Sequence, residues 1–176
     1  MKTIHLLAIA LAGIAASGCA TQGAVKAGGP TKTEVVFDHP ENFTDVKDSS
    51  TPTDRGRDSI LSNLRGFLEE RADPLLPDGY SLRIVFTDID LAGDYEPWRG
   101  FQWSDVRVVK PIYPPAFKFT YAVTDSSGKV VRQGTEDIRD LDFQIRMAFP
   151  QSDPLRFEKD ILGDWARSTL RDLRKA

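Results

Sequence analysis

The chain is poor in the residues that many enzymes use as nucleophiles or metal ligands. Its 176 residues include one Cys and two His. A single Cys cannot form an intrachain disulfide, and this set cannot complete a structural zinc site of four cysteines or of two cysteines and two histidines. The formal net charge of −3 also argues against a nucleic-acid partner, because such partners require a concentrated basic surface.

Long apolar runs are also missing, apart from a short one at the N-terminus. Residues 6–16 are apolar and uncharged, and Lys2 precedes them. A transmembrane helix needs about 20 apolar residues, so this run predicts a secretory signal peptide over residues 1–18 instead. His5 lies within that segment, which leaves His39 as the single histidine of the exported protein.

The residues that follow predict an anchor and a tether. Ala16-Ser17-Gly18-Cys19 resembles a bacterial lipobox, with Ala16 where Leu is commonest. Lipidation of Cys19 would hold the protein in the periplasm, at the inner leaflet of the outer membrane, and this anchor would be its only membrane contact. The alternative is cleavage after Ala20, which gives a soluble periplasmic protein. Residues 19–33 then form the lipidated Cys and a flexible tether to one domain over residues 34–176.

Hydrophobic periodicity predicts two helices and about five strands. Apolar residues at helical spacing and at alternate positions, together with turn residues, place these elements. They predict an α+β fold of two layers, a mostly antiparallel sheet with two helices packed on one face, in the order β-α-β-β-β-β-α. The predicted elements are the strand Glu34–Phe37, a helix from Thr53 or Asp54 to Ala72, the strands Ser81–Leu91 and Asp105–Lys110, a hairpin of residues 117–124 and 129–138, and a helix from Asp153-Pro154 to about Leu173.

Four segments, which together span nearly all of the exported chain, resemble one bacterial family. They are VVFDHPENFTDV (35–46), TDIDLAGDYEP (87–97), DVRVV with PPAFKFTYAV (105–123) and DPLRFEKDILGDW (153–165). In order and spacing they are similar to the family called domain of unknown function 3016. The resemblance implies an exported protein of Gram-negative bacteria. It implies no activity and supplies no catalytic residue.

Three carboxylates, Asp88, Asp90 and Asp94, stand close together after the long strand. With Gly93 they suggest a calcium loop, but an EF-hand requires other residues at Ala92 and Arg99. A looser divalent-cation site remains an alternative. Alternate strand positions share a face, so Asp88 and Asp90 could also act as the acid–base pair of a glycan hydrolase. The simpler interpretation pairs these carboxylates with Arg83 or Arg107 across the sheet.

The segment over residues 92–104, which we call the aromatic loop, is unusually rich in rings. Rings beside a guanidinium are frequent anchors of protein partners and can stack on sugars. Some rings could instead fold back onto the sheet, but we expect at least one to be exposed. The candidate binding residues are Tyr95, Trp98, Phe101, Trp103 and Arg99.

These observations favour a binding or structural module of the cell envelope. Its partner would be an unknown envelope protein or a small ligand, reached through the aromatic loop and the three nearby aspartates. A carboxylate-based hydrolase and a divalent-cation binder are the alternatives. We expect no cofactor and assign no catalytic residue. One residue of the pair Glu158-Lys159 is expected on a polar helix face, or paired with a sheet residue such as Arg139.

Overall fold

The computed structural model describes residues 31–145 and 149–174. The predicted signal peptide, the lipidation site Cys19 and most of the tether lie outside these residues. In the described part neither helix combines the length and apolarity needed to cross a membrane. In chain order the elements are β1 (Thr33–Phe37), α1 (Asp54–Ala72), β2 (Ser81–Asp90), β3 (Asp94–Tyr95), β4 (Arg107–Val108), β5 (Ala116–Thr124), β6 (Val130–Arg139) and α2 (Arg156–Leu170).

The main sheet has four strands in the order β1-β2-β5-β6. β1 runs parallel to β2, and the other two pairs are antiparallel. One face of this sheet shares a hydrophobic core with α1 and α2, while Arg83, Thr120 and Gln133 on the other face are exposed. The predicted α+β class, with a mostly antiparallel sheet and two helices on one face, is therefore confirmed.

The first helix follows from local signals in the sequence. The Thr53 hydroxyl accepts a hydrogen bond from the amide of Gly56 at 2.9 Å, which caps the helix at its predicted start. Pro74 lies two residues after Ala72, the last residue of the helix, in a short 3-10 turn. The buried side chains recur at helical spacing and face the sheet; they are Leu61, Leu64, Leu68 and Ala72.

A β-bulge in β2 changes which side chains reach the core. Strict alternation predicts Leu82, Ile84 and Phe86 on one face and Val85, Ile89 and Leu91 on the other. The pairing with β5 shifts between Phe86 and Asp88, so Thr87 is an extra residue. Beyond the shift Ile89 and Leu91 are buried in the same core as Leu82, Ile84 and Phe86. The sidedness predicted for Ile89 and Leu91 is therefore wrong.

The predicted strand over Asp105–Lys110 is much shorter in the structure. Only Arg107–Val108 is extended, and it pairs with Asp94–Tyr95 in a separate two-stranded sheet. Gly93 makes this approach possible, because its φ is 81° and a Cβ there would lie 2.8 Å from the carbonyl oxygen of Val108. The small sheet closes the base of the aromatic loop.

The last helix begins at Arg156, after the predicted Asp153-Pro154 start. Asp153 acts before the helix instead, since its Oδ1 accepts a hydrogen bond from the amide of Leu155 at 2.9 Å and its Oδ2 lies 2.7 Å from Lys159 Nζ. Residues 150–155 turn before the helix starts. The buried face of α2 holds apolar side chains and two carboxylates; it comprises Phe157, Glu158, Asp160, Ile161, Leu162, Gly163, Trp165, Ala166 and Leu170.

Candidate functional site

The aromatic loop carries three rings into solvent. It runs as two consecutive 3-10 turns joined by Gly100, whose φ of 114° is accessible to glycine. Trp98 is 72% exposed, Phe101 97% and Trp103 47%. The expectation of at least one exposed ring is confirmed, while a binding role for these rings stays a prediction.

The fourth aromatic residue, Tyr95, is buried under a guanidinium. The Arg107 guanidinium carbon lies 4.8 Å from the centroid of the Tyr95 ring. Arg107 donates from Nη1 to Asp45 Oδ2 at 3.0 Å and to the Gly93 carbonyl at 2.8 Å. From Nη2 it donates to Asp45 Oδ1 at 3.1 Å and to the Lys47 carbonyl at 3.0 Å. Asp45 is 5% exposed, so this bidentate pair is largely shielded from water.

A second ionic group holds the middle of the loop. Glu96 is buried, and its Oε1 accepts hydrogen bonds from Lys110 Nζ at 2.6 Å and from the Tyr113 hydroxyl at 3.1 Å. Arg99 Nη1 lies 3.6 Å from the other oxygen, and the Arg99 side chain is half exposed. The Lys110 hydrogen bond is the main reason that the pKa of Glu96 is below its ordinary value. Glu96 therefore acts as a buried anion that ties the exposed turns to the segment after β4.

The structure gives Asp88 and Asp90 partners of their own. Asp88 accepts hydrogen bonds from the Thr44 amide at 2.8 Å and from the Thr44 hydroxyl at 2.9 Å. Asp90 Oδ2 lies 3.6 Å from Arg139 Nη2. Burial raises the pKa of the Asp90 carboxyl, and Arg139 opposes that shift. The cations expected from the sequence bind elsewhere, since Arg107 pairs with Asp45 and Arg83 with Glu34.

The side chain of Asp94 bonds to the backbone of its own strand, β3. Its Oδ1 accepts a hydrogen bond from the amide of Tyr95 at 2.7 Å. Within residues 31–145 and 149–174 no group of three His, Cys, Asp or Glu side chains is arranged to hold a metal ion. We therefore propose no metal-binding role for Asp88, Asp90 and Asp94.

A cavity of about 310 Å³ lies beneath the loop, between α1 and the start of α2. Glu158 lines it and is 1% exposed. Glu158 Oε1 accepts a hydrogen bond from the amide of Ala92 at 2.7 Å, and Oε2 has no hydrogen-bond partner within the described part of the chain. Glu158 is therefore not the residue of the pair Glu158-Lys159 that lies on a polar face, because its side chain faces the interior. We call this space the Glu158 cavity.

The buried carboxyl of Glu158 gives folding a pH dependence. Burial raises the pKa of Glu158 above its ordinary value of 4.5, although the Ala92 hydrogen bond opposes the shift. Between the unfolded and folded pKa values the folded state holds a proton that the unfolded state releases. The free energy of unfolding contributed by Glu158 therefore falls as pH rises through that window.

We expect urea denaturation between pH 4.5 and 7 to resolve this contribution. The glutamine of the Glu158→Gln variant cannot ionise. The free energy of unfolding of the variant should therefore rise relative to that of the wild type as pH rises. Comparing the two proteins cancels the other titrating carboxyls. Parallel stability curves would contradict a raised pKa for Glu158.

Sequence reasoning missed the burial of Glu158 and the Asp45–Arg107 pair. A signal for the first was present, because Glu158 precedes Ile161, Leu162 and Trp165 by three, four and seven residues, which is one helical face. Nothing local could indicate the second, since its members are 62 residues apart in sequence.

Comparison with known proteins gives one family. The family model described as "Protein of unknown function (DUF3016)" matches residues 31–168. Comparison with curated proteins finds no match. Comparison with solved structures finds none either.

Proposed function

Because the chain belongs to the DUF3016 family of proteins of unknown function, and membership carries no activity, we propose a function from the site itself. The protein is an exported binding module of the cell envelope. Its signal peptide and Cys19 direct and tether it, and the aromatic loop docks a protein partner. The exposure of Trp98, Phe101 and Trp103 on one anchored loop carries this proposal.

The exposed aromatic rings of the loop would supply most of the binding energy. Aromatic side chains bury large areas on docking, and Trp and Arg are enriched among residues that dominate binding energy. Isolated exposed apolar residues are ordinary on any surface. Three rings within six residues, beside the half-exposed Arg99, form a concentrated patch of the kind found at protein interfaces.

The base of the loop favours tight docking. Arg107 holds the backbone at Gly93 and Lys47 as well as the Asp45 carboxylate, and Glu96 holds Lys110. A surface that is already ordered loses less conformational entropy when a partner binds. The rings are therefore displayed on a fixed frame.

Two features of the surface support a proposal for the chemistry of the partner. An apolar groove would receive the rings of Trp98 and Phe101. Arg99 Nη1 lies 3.6 Å from Glu96 and could turn to a carboxylate at the rim of that groove. The partner we propose is an envelope protein with an apolar groove and an acidic rim.

Photo-crosslinking in Gram-negative cells tests this proposal. The full chain carries a benzophenone amino acid at position 101. We expect one discrete adduct with an envelope protein, and Trp98→Ala or Trp103→Ala should each reduce its yield at least about tenfold, as for interface hot spots. The matched control carries the crosslinker at position 131, where Val131 is an exposed apolar residue on β6.

Three outcomes would overturn the assignment. An adduct of the same mass from position 131 would show unspecific contact. A yield that is unchanged by both Trp variants would remove the rings from the interface. Adducts with lipid only, together with co-sedimentation of the protein with vesicles, would make the occupant a membrane surface.

A further inference from the structure

The Glu158 cavity has the dimensions and walls of a small-molecule site. Its volume is about 310 Å³, at the lower end of ligand pockets. Its apolar wall includes Ile60, Leu91 and Leu155, and Ser59 and Asn63 of α1 stand at its exposed side. Six of the twelve lining residues are polar or charged and the rest are mainly apolar, so the cavity suits a compact molecule with a polar end and an apolar body.

Glu158 is the polar group that the protein leaves unsatisfied there. Its side chain is buried, and the Ala92 amide occupies Oε1 alone. Oε2 has no hydrogen-bond partner among the described residues. Burying a carboxylate oxygen without a partner is costly, so a donor that reached Oε2 would gain a strong hydrogen bond.

The charges that line the cavity favour a cation as that donor. Arg107 is already bound to both oxygens of Asp45, and Lys47 Nζ lies 3.7 Å from the same carboxylate. The other two charged residues of the lining, Asp48 and Glu158, have no ion-pair partner in the part of the chain that the structure describes. The lining itself carries two cations and two carboxylates, and the charge of Arg107 also lowers the pKa of Glu158. With Asp45, which holds both cations, the cavity is surrounded by three carboxylates and two cations, so the balance of charge is negative.

We propose that the Glu158 cavity binds a small primary amine with an apolar body. Because Oε2 is buried, the Glu158 carboxyl turns toward the cavity when the amine binds. The ammonium group then donates to Oε2, and the body packs against Ile60, Leu91 and Leu155. This site is independent of the proposed function, because it uses neither the exposed rings nor a protein partner.

Benzylamine is a suitable probe, with benzyl alcohol and benzoate as its neutral and anionic counterparts. Titration into the purified full chain is followed through the Ala92 amide resonance, which reports directly on Glu158. We expect benzylamine to shift this resonance saturably, with a dissociation constant on the order of 1 mM or below. Benzyl alcohol should bind at least about tenfold more weakly, and benzoate should not saturate.

Two variants test whether binding depends on the cavity itself and not merely on a folded protein. Glu158→Gln retains an acceptor for the Ala92 amide but removes the charge, and should weaken benzylamine about tenfold or more. Ser59→Trp places a ring at the exposed side of the cavity and should abolish binding without unfolding the protein. Glu34→Gln, on the open face of the sheet, is the matched control and should bind as the wild type does.

Binding of benzylamine, benzyl alcohol and benzoate with equal affinity would overturn the proposal, since it would show an unselective apolar cavity. The absence of a saturable shift in the wild type would overturn it too. Equal affinity of the wild type and Glu158→Gln would remove Glu158 from the site even if the amine binds.

Discussion

Replacing Arg107 by Ala should lower the free energy of unfolding by about 3–5 kcal/mol, because the buried Asp45 carboxylate loses its bidentate partner and keeps only the longer contact to Lys47 Nζ at 3.7 Å. Asp45 is 5% exposed and has Arg107 on both of its oxygens. The substitution also removes the donors to the carbonyls of Gly93 and Lys47 and uncovers the Tyr95 ring. Arg107 therefore joins its own strand β4 to residues 45–47 and to Gly93.

Urea denaturation measures this effect, and Arg83→Ala is its matched control. Arg83 also forms an ion pair, with Glu34, but both side chains are more than half exposed. Exposed ion pairs contribute about 0–1 kcal/mol, so Arg83→Ala should change the free energy of unfolding by no more than that. Equal losses in the two variants would mean that water reaches Asp45 readily.

A double variant isolates the cause of the loss. Asp45→Asn with Arg107→Met removes both charges, so no unpaired carboxylate stays buried. We expect it to recover part of the stability that Arg107→Ala loses, because breaking a buried pair costs more than replacing it. If the double variant is no more stable than Arg107→Ala, the lost backbone hydrogen bonds account for the effect.

The elements that sequence predicts well are those set by neighbouring residues. The start of α1 follows from the Thr53 cap, and its buried face follows from the spacing of Leu61, Leu64 and Leu68. The turn between β5 and β6 follows from Gly128, whose φ is 85°, and from Asp125, which accepts three hydrogen bonds within that turn. In both cases the determining contacts are a few residues apart.

Which side chains of β2 point into the core could not be predicted, because this depends on the pairing of β2 with another strand. The bulge at Thr87 exists only in the pairing of β2 with β5. Without knowledge of that pairing, strict alternation is the natural expectation, and it moves Ile89 and Leu91 to the wrong face. A single extra residue therefore decides where half of this strand points.

In the candidate site, too, some features could be predicted from neighbouring residues and others could not. An excess of rings in a loop predicted exposure, and three of the four rings are exposed. The anchors beneath them depend on contacts across 62 residues for Arg107 and 66 residues for Glu158. Such pairs follow from the assembled fold, and a single sequence does not display them.

Replacing Trp165 by Ala should cost about 3–5 kcal/mol of unfolding free energy, the range for emptying a buried aromatic site. Trp165 is 6% exposed, and its ring packs edge-on against Phe119 at 4.8 Å and Tyr121 at 5.3 Å between centroids. Its Nε1 donates to Glu136 Oε1 at 3.2 Å. One side chain thus joins α2 to β5 and β6.

Circular dichroism during urea denaturation checks this prediction, and Trp98→Ala is the matched control. Trp98 is 72% exposed, so its removal should change stability by no more than about 0.5 kcal/mol. Trp165→Phe keeps a ring in the core but loses the donor to Glu136, and we expect an intermediate cost of about 1–2 kcal/mol. Similar losses in Trp165→Ala and Trp98→Ala would show that α2 is not packed on the sheet through this residue. The contrast between the two tryptophans also supports the proposed function. If the Trp98 ring contributes nothing to folding, its exposed position is explained by binding.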